Sequence, residues 1–203
     1  MINLLIAEDQ AMLLTTLASL LDLENDINVI HQSKNGQDAL DFLLDKSSTP
    51  IDVLLTDIEM PQLTGIELVQ EIQSHQLAIK SIILTTFSRS GYLRRAMDAG
   101  VKGYLLKDSP SGELLSAIRK IAKGGKVIAP ELLQDAWMEI DPLTDNERRA
   151  LRLAKDGATT EMIAEKLHLS EGTIRNYLSS ASSKLNAKNR IEAARIAHQN
   201  GWL

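Results

Sequence analysis

Four apolar runs in the first 107 residues each end in a side chain that can do chemistry. Ile2–Ala7 ends in Glu8-Asp9, and Ile51–Thr56 ends in Asp57, with Glu59 two residues on. Ser81–Thr86 carries Thr85-Thr86 at its end, and Val101–Leu106 ends in Lys107. If these runs are parallel strands, their ends share one edge, and Glu8, Asp9 and Asp57 meet in one crevice. Crowded carboxylates raise one another's pKa unless a cation intervenes. A hard divalent ion is the economical remedy, and Mg2+ suits a site of carboxylates, a carbonyl and waters. Lys107 supplies a further point charge. Such a site is built for a phosphoryl group, with the cations on its oxygens and a carboxylate as nucleophile. Thr85 offers a hydroxyl to the arriving phosphoryl oxygen. Taken singly, an acidic residue at a strand end is usually solvated, Lys107 reads as a surface lysine, and Tyr104 in "KGYLL" reads as packing. The joint placement at four strand ends carries the argument.

Those ends need a scaffold. A fifth β-like run, Ile27–His31, joins the other four, and helical patterns lie between the runs and after the last. Leu13, Leu17, Leu20 and Leu21 fall on one face of the first helix, and Leu114, Ile118 and Ile121 on one face of the last. Ser109 and Pro110 stand where an N-cap and a first-turn proline would start that last helix. Five strands alternating with five helices predict a parallel α/β sheet covered on both faces, with right-handed crossovers. Ligands in such sheets bind beyond the carboxyl ends of the strands.

At 203 residues and 44% hydrophobic, the chain is long enough for two domains. It has no cysteine, which excludes disulfides and thiolate metal sites. "MINLLIAEDQ" lacks the basic start and cleavage site of a signal peptide, and no apolar run approaches the roughly 18 residues that cross a bilayer. The expectation is a cytoplasmic protein without membrane insertion. The net charge of -5 is uneven. Residues 1–124 hold 11 Lys/Arg against 16 Asp/Glu, and residues 142–203 hold 10 against 7. A basic part on an acidic protein suggests two modules with different partners. Gly124-Gly125 ends the alternating pattern, Pro130–Glu139 reads as a short helix, and Asp141-Pro142 marks a boundary. We therefore divide the chain into 1–124, a linker at 125–141, and 142–203.

The last part is all helical pattern. Thr144 caps a helix, with Glu147 completing a capping box, and Gly157 ends it. A helix over 160–167, a turn at His168-Leu169 and a longer helix after Ser170 follow. A final helix runs from near Asn189 to near Gly201. Ile163, Ala164, Leu167, Leu169, Ile174 and Leu178 form an apolar set across the tight turn. The following helix presents Arg175, Asn176 and Ser179 outward, with Lys184, Lys188 and Arg190 beyond. This is a helix-turn-helix pattern, whose second helix would enter the major groove. There Arg can pair with guanine and Asn with adenine, while Lys and Ser or Thr contact phosphates. Gly172 early in that helix counts against the pattern. A plain helical bundle with a solvated charged face stays open on these residues alone.

"IAEDQ", "LLTDIEMP", "IILTTF" and "KGYLLKD", in this order, resemble the receiver domain of two-component response regulators. The resemblance implies a flavodoxin-like (βα)5 fold with strand order 2-1-3-4-5. It implies that Asp57 is the phospho-acceptor, Asp9 a direct Mg2+ ligand, Glu8 its acidic neighbour, and Glu59 a backbone-carbonyl ligand. Thr85 and Lys107 match the switch threonine and the phosphate-binding lysine, and Tyr104 the aromatic that moves on activation. Glu8 replaces the more usual Asp, and Thr86 is bulkier than the residue usual there. "LTDNERRALRLAKDGATTEMIAEKLHLSEGTIRNYLSSASSKLNAKNRIEAA" resembles the four-helix DNA-binding domain of the LuxR/NarL/FixJ family. That likeness implies groove contacts by Arg175, Asn176 and Ser179, backbone contacts by Thr173 and Lys184, and a further DNA contact by Lys188. It makes Glu147 the family's buried glutamate, while Asn189 departs from the acidic residue usual before the arginine. The implied protein is a transcriptional response regulator. A sensor histidine kinase would phosphorylate it, and it would pair as a homodimer on promoter DNA. It would be no enzyme beyond its own phosphorylation and dephosphorylation. "AEDQAML", "DIEMP" and "ILTTF" together resemble regulators of membrane-lipid or cell-envelope response, the desaturase-regulator type among them. A phosphatase with an aspartyl nucleophile would want a second Asp where Glu59 stands. A nucleotide-binding domain would want a glycine-rich turn where "AEDQAM" has none. The complete set of site residues argues against a degenerate receiver.

Overall fold

The computed structural model describes residues 1–45, 49–86, 90–130 and 141–203. The chain divides into two compact units, one built on a sheet and one on the last four helices.

The first unit is a parallel sheet. Its strands are β1 (Ile2–Ala7), β2 (Ile27–Ser33), β3 (Val53–Thr56), β4 (Lys80–Thr85), β5 (Gly103–Leu106) and β6 (Val127–Ile128), in the order β2-β1-β3-β4-β5-β6. Between and after them run α1 (Ala11–Leu21), α2 (Gly36–Leu44), α3 (Gly65–Ser74), α4 (Ser90–Asp98) and α5 (Ser111–Ala122). The expected order 2-1-3-4-5 is present, and β6 extends it. The two residues of β6 fall inside the stretch expected to be linker. Val127 donates to the Lys102 carbonyl and Ala129 to the Tyr104 carbonyl, so the open edge of β5 draws the chain into the sheet. The helix expected over Pro130–Glu139 lies, beyond its first residue, outside the described residues.

One sheet face forms a core in which Leu4, Ile6, Val53, Leu55, Ile82, Leu84 and Leu105 pack against α1 and α5. The alternation along each strand sends every second residue to that core. On α1 the buried positions are Leu14, Ala18 and Leu21 rather than the expected Leu13, Leu17 and Leu20, which are half-buried at the margin. A leucine-rich helix satisfies the helical period on two adjoining faces, and the sheet selects one. The start of α5 also differs. Pro110, extended at φ -54 and ψ 140, is itself the N-cap, and no side chain caps the helix. Ser109 instead donates its backbone N–H to Leu106. A residue before proline is driven from the helical region.

The second unit comprises α6 (Asp145–Lys155), α7 (Thr160–Leu167), α8 (Glu171–Lys184) and α9 (Arg190–Gln199). Thr144 and Glu147 form the expected reciprocal capping box. Gly157, at φ +85, follows the end of α6. His168 closes α7 in the left-handed region at φ 54, and Ser170 caps α8 through the Thr173 N–H. Ile163, Ala164, Ile174 and Leu178 are buried together. Leu169, expected among them, is 39% exposed because the left-handed turn at His168 carries it to the surface. Asn189 caps α9, its side chain accepting from the N–H groups of Ile191 and Glu192. That accounts for Asn189 where an acidic residue would be usual, since Asn is an equally good cap. Among the described residues, no helix is long and apolar enough to cross a membrane.

Candidate phosphoryl and nucleic-acid sites

Three site residues each stand one position past a strand end, and each backbone N–H is tied to the neighbouring strand. Glu8 donates to Ser33, Asp57 to Ala7 and Lys107 to Thr85, at 3.0, 2.9 and 2.8 Å. Their side chains therefore leave from a rigid rim. The Lys107 ammonium lies 2.8 Å from Glu8 Oε2 and 2.9 Å from Asp57 Oδ2, with all three side chains buried. It also donates to Glu8 Oε1 at 3.1 Å, where the Gln10 N–H adds a bond at 3.2 Å. Asp57 Oδ1 accepts the Ile58 N–H at 2.7 Å. Exposed Asp9 completes the group, and one carboxylate oxygen from each of Glu8, Asp9 and Asp57 lies within 4.8 Å of the others.

The electrostatics refine the expectation of mutual repulsion. Burial is the main force that pushes the Glu8 carboxyl above its usual range, with the Lys107 hydrogen bond pulling back and the Asp57 charge adding to the rise. Burial likewise raises Asp57, against the pull of Lys107 and the Ile58 N–H. Burial would depress the Lys107 ammonium, but its bonds to Glu8 and Asp57 outweigh that, and its pKa rises. The lysine is thus the internal counter-cation of a desolvated anionic pair. The donor set around it is hard oxygen throughout, which fits a Mg2+ ion.

Thr85 is fully buried at the end of β4, and Tyr104 is fully buried on β5. Thr86 is exposed beside Thr85, and Glu59 is half-buried two residues after Asp57. Thr56, not singled out from the sequence, donates its hydroxyl to the Asp57 carbonyl at 2.9 Å.

On α8 of the second unit, Arg175, Asn176 and Ser179 are exposed, with Arg175 paired to Glu171 one turn back. Thr173 is half-buried, its hydroxyl 2.9 Å from that of Ser170. Lys188 is exposed beyond α8. The Lys184 ammonium lies 2.8 Å from Glu147. Two partners escaped the sequence reading. Ser180 donates to Glu147 Oε1 at 2.6 Å, and Asp141, read only as a boundary, pairs with Arg148 at 2.9 Å. The Ser180 contact has no local signal because it depends on how α8 packs on α6, whereas Asp141 reaches Arg148 across the seven residues at the start of α6.

Comparison with known proteins covers both units. Residues 4–119 match the response regulator receiver domain, and residues 141–197 match the bacterial regulatory proteins of the luxR family. The transcriptional regulatory protein DesR of Bacillus subtilis (strain 168) is 51% identical over 202 residues, covering 100% of this chain and 99% of that protein. YvfU of the same organism, an uncharacterized transcriptional regulatory protein, is 50% identical over 203 residues, with 100% of both chains covered. Among solved structures, RcsB from Salmonella enterica serovar Typhimurium, bound to promoter rprA in the presence of the phosphomimetic BeF3−, superposes with a TM-score of 0.73. It is 26% identical and covers 98% of this chain and 99% of that one.

Proposed function

The chain belongs to the response regulators that join a receiver domain to a LuxR-type DNA-binding domain, and from that premise we propose that Asp57 accepts a phosphoryl group from a sensor histidine kinase. The observation that carries the reading is the buried Glu8–Lys107–Asp57 constellation, with Asp9 beside it. Asp57 attacks phosphorus through a carboxylate oxygen, a P–O bond forms, and the P–N bond to the kinase imidazole breaks. The imidazole leaves with the bonding pair and is protonated. Asp9, Asp57 and the Glu59 carbonyl would hold Mg2+, with Glu8 acting through water. The metal supplies charge neutralisation on the phosphoryl oxygens. Lys107 adds its ammonium, and Thr85 its hydroxyl. Thr85 and Tyr104 then favour one of two arrangements of the β4–α5 region. The readout is a homodimer in the cytoplasm whose Arg175, Asn176 and Ser179 read promoter DNA, with Thr173 and Lys188 toward phosphates. The similarity to RcsB, solved with a promoter, supports this use of the second unit. Beyond turning over its own acyl phosphate, the chain has no enzymatic role in this reading.

The test is to incubate the protein with Mg2+ and a small acyl-phosphate donor, then follow intact mass, oligomer size and affinity for promoter DNA. The wild type gains one phosphoryl group and Asp57→Ala gains none. No gain in the wild type, or an equal gain in Asp57→Ala, overturns the proposal.

Thr86 provides a second prediction. Its side chain is exposed next to Thr85, and in this reading its bulk narrows the approach of water to the acyl phosphate. Thr86→Ala is expected to lose its phosphoryl group several-fold faster than the wild type, as read by mass over time. An equal or slower rate sinks the idea.

A further inference from the structure

Glu147 is 3% exposed, yet it carries a carboxylate with three partners outside its own turn of helix or at its edge. Oε2 accepts the Thr144 N–H at 2.7 Å and the Lys184 ammonium at 2.8 Å, and Oε1 accepts the Ser180 hydroxyl at 2.6 Å. These bonds hold its pKa down at about 2: burial pushes it up, and the bonds from Lys184, Ser180 and Thr144 more than reverse that. The capping box fixes the carboxylate at the start of α6. Its two oxygens then grip two residues one turn apart on α8.

The grip falls on a particular flank. At about 100° per residue, Ser180 and Lys184 lie on the flank of α8 between the face of Arg175, Asn176 and Ser179 and the buried stripe of Ile174, Leu178 and Ala181. Ser180 borders Asn176 one turn on, and Lys184 lies nearer the stripe. Apolar packing along that stripe tolerates small rotations of a helix. Two directional bonds from one immobilised carboxylate do not, and a one-residue slip of α8 would break both.

We propose that Glu147, Ser180 and Lys184 are positioning residues that set the rotation of α8 against α6, and that Lys184 makes no phosphate contact with DNA. This replaces the backbone contact expected of Lys184 from the sequence, and leaves Lys188 and Thr173 as the phosphate-facing candidates. The inference uses the DNA-binding class of the second unit and is independent of the chemistry at Asp57.

Salt dependence separates the two roles. Each lysine that neutralises a phosphate adds about 0.9 to the slope of log affinity against log salt. The probe is random-sequence duplex DNA, titrated with the full-length protein over a series of salt concentrations, with far-UV circular dichroism of each variant. Lys184→Gln, Ser180→Ala and Glu147→Gln are each expected to weaken binding several-fold at fixed salt with the slope unchanged. The double variant Glu147→Gln/Lys184→Gln binds no more weakly than the weaker single variant, because both remove one clamp. A slope that falls by about one unit in Lys184→Gln overturns the proposal. So do losses that multiply in the double variant. If Glu147→Gln fails to fold, the slope of Lys184→Gln decides alone.

Discussion

Lys107→Met is expected to destabilise the receiver by about 3–5 kcal/mol at neutral pH, the cost of breaking a buried ion pair by removing one partner. The ammonium bonds both Glu8 oxygens and Asp57 Oδ2, and all three groups are buried. Methionine keeps the stem and its packing but leaves two desolvated carboxylates facing each other. The pH dependence has a definite sign. Glu8 and Asp57 already titrate above the ordinary carboxylate range, burial being the largest cause. Without Lys107 both rise further, so the folded variant binds more protons than its unfolded chain. Its stability is highest below the unfolded carboxylate pKa values and falls as pH rises through the folded ones. The deficit against the wild type is therefore small in acid and full at neutral pH. The stabilising part of Lys107 itself has the other window. Its folded pKa is raised, so its contribution is complete below the ordinary lysine value and is lost as pH rises through the folded one. Urea unfolding followed by hydrogen exchange in β1 and β3 at several pH values measures this. A deficit that is the same at pH 5 and pH 8 would falsify the electrostatic account. Mg2+ bound among Glu8, Asp9 and Asp57 adds charge that the variant lacks and should narrow the gap; stabilisation of neither protein by Mg2+ counts against the metal site.

Much of this site was legible because strand ends leave a local trace. Apolar alternation stops where the sheet stops, so Glu8, Asp57 and Lys107 are each marked as the first residue past a strand. The Thr144–Glu147 box was legible for a similar reason, since both partners lie within one turn. The same pattern at Thr64 and Glu67 forms a second box at the start of α3. What stayed hidden depends on distance along the chain. β6 has only two residues, too few for a period, and it exists because β5 offers an edge. Lys184 reads as a DNA contact by position, but it meets a carboxylate 37 residues away. The position of Lys107 between Glu8 and Asp57 was also hidden. The sequence placed them at one edge, while the bonds that make Lys107 the counter-cation come from the burial of all three. The order of forces differs accordingly: desolvation leads and repulsion between carboxylates follows.

Gly65→Ala tests whether the backbone behind Asp57 is as tightly fitted as the side chains in front of it. Helix propensity alone favours the change, since Ala is better than Gly in a helix by up to about 1 kcal/mol. The position reverses that sign. Gly65 is buried at the first turn of α3, and its N–H donates to the Ile58 carbonyl at 2.9 Å. A Cβ added there would fall far inside van der Waals contact of the Asp57 carbonyl oxygen and 2.9 Å from Thr56 Oγ1. Both neighbours resist movement. The Asp57 carbonyl accepts the Thr56 hydroxyl, and the Asp57 N–H is held by Ala7. The start of α3 is held by the Thr64–Glu67 box. Either α3 lifts away, losing the packing of buried Ile66 and Val69, or the Asp57 backbone shifts and carries the carboxylate off Lys107. Overpacking of this kind costs about 1–3 kcal/mol, and the displacement adds a loss of phosphoryl acceptance at Asp57. The variant is therefore expected to melt lower than the wild type and to gain phosphoryl mass at least tenfold more slowly under the same acyl-phosphate donor. Gly112→Ala is the control, because it also lies in the first turn of a helix and an added Cβ meets nothing within 4 Å. It should match or exceed the wild type in stability and keep the phosphorylation rate. If Gly65→Ala behaves like Gly112→Ala, the close approach of α3 to Asp57 does not hold the acceptor in place.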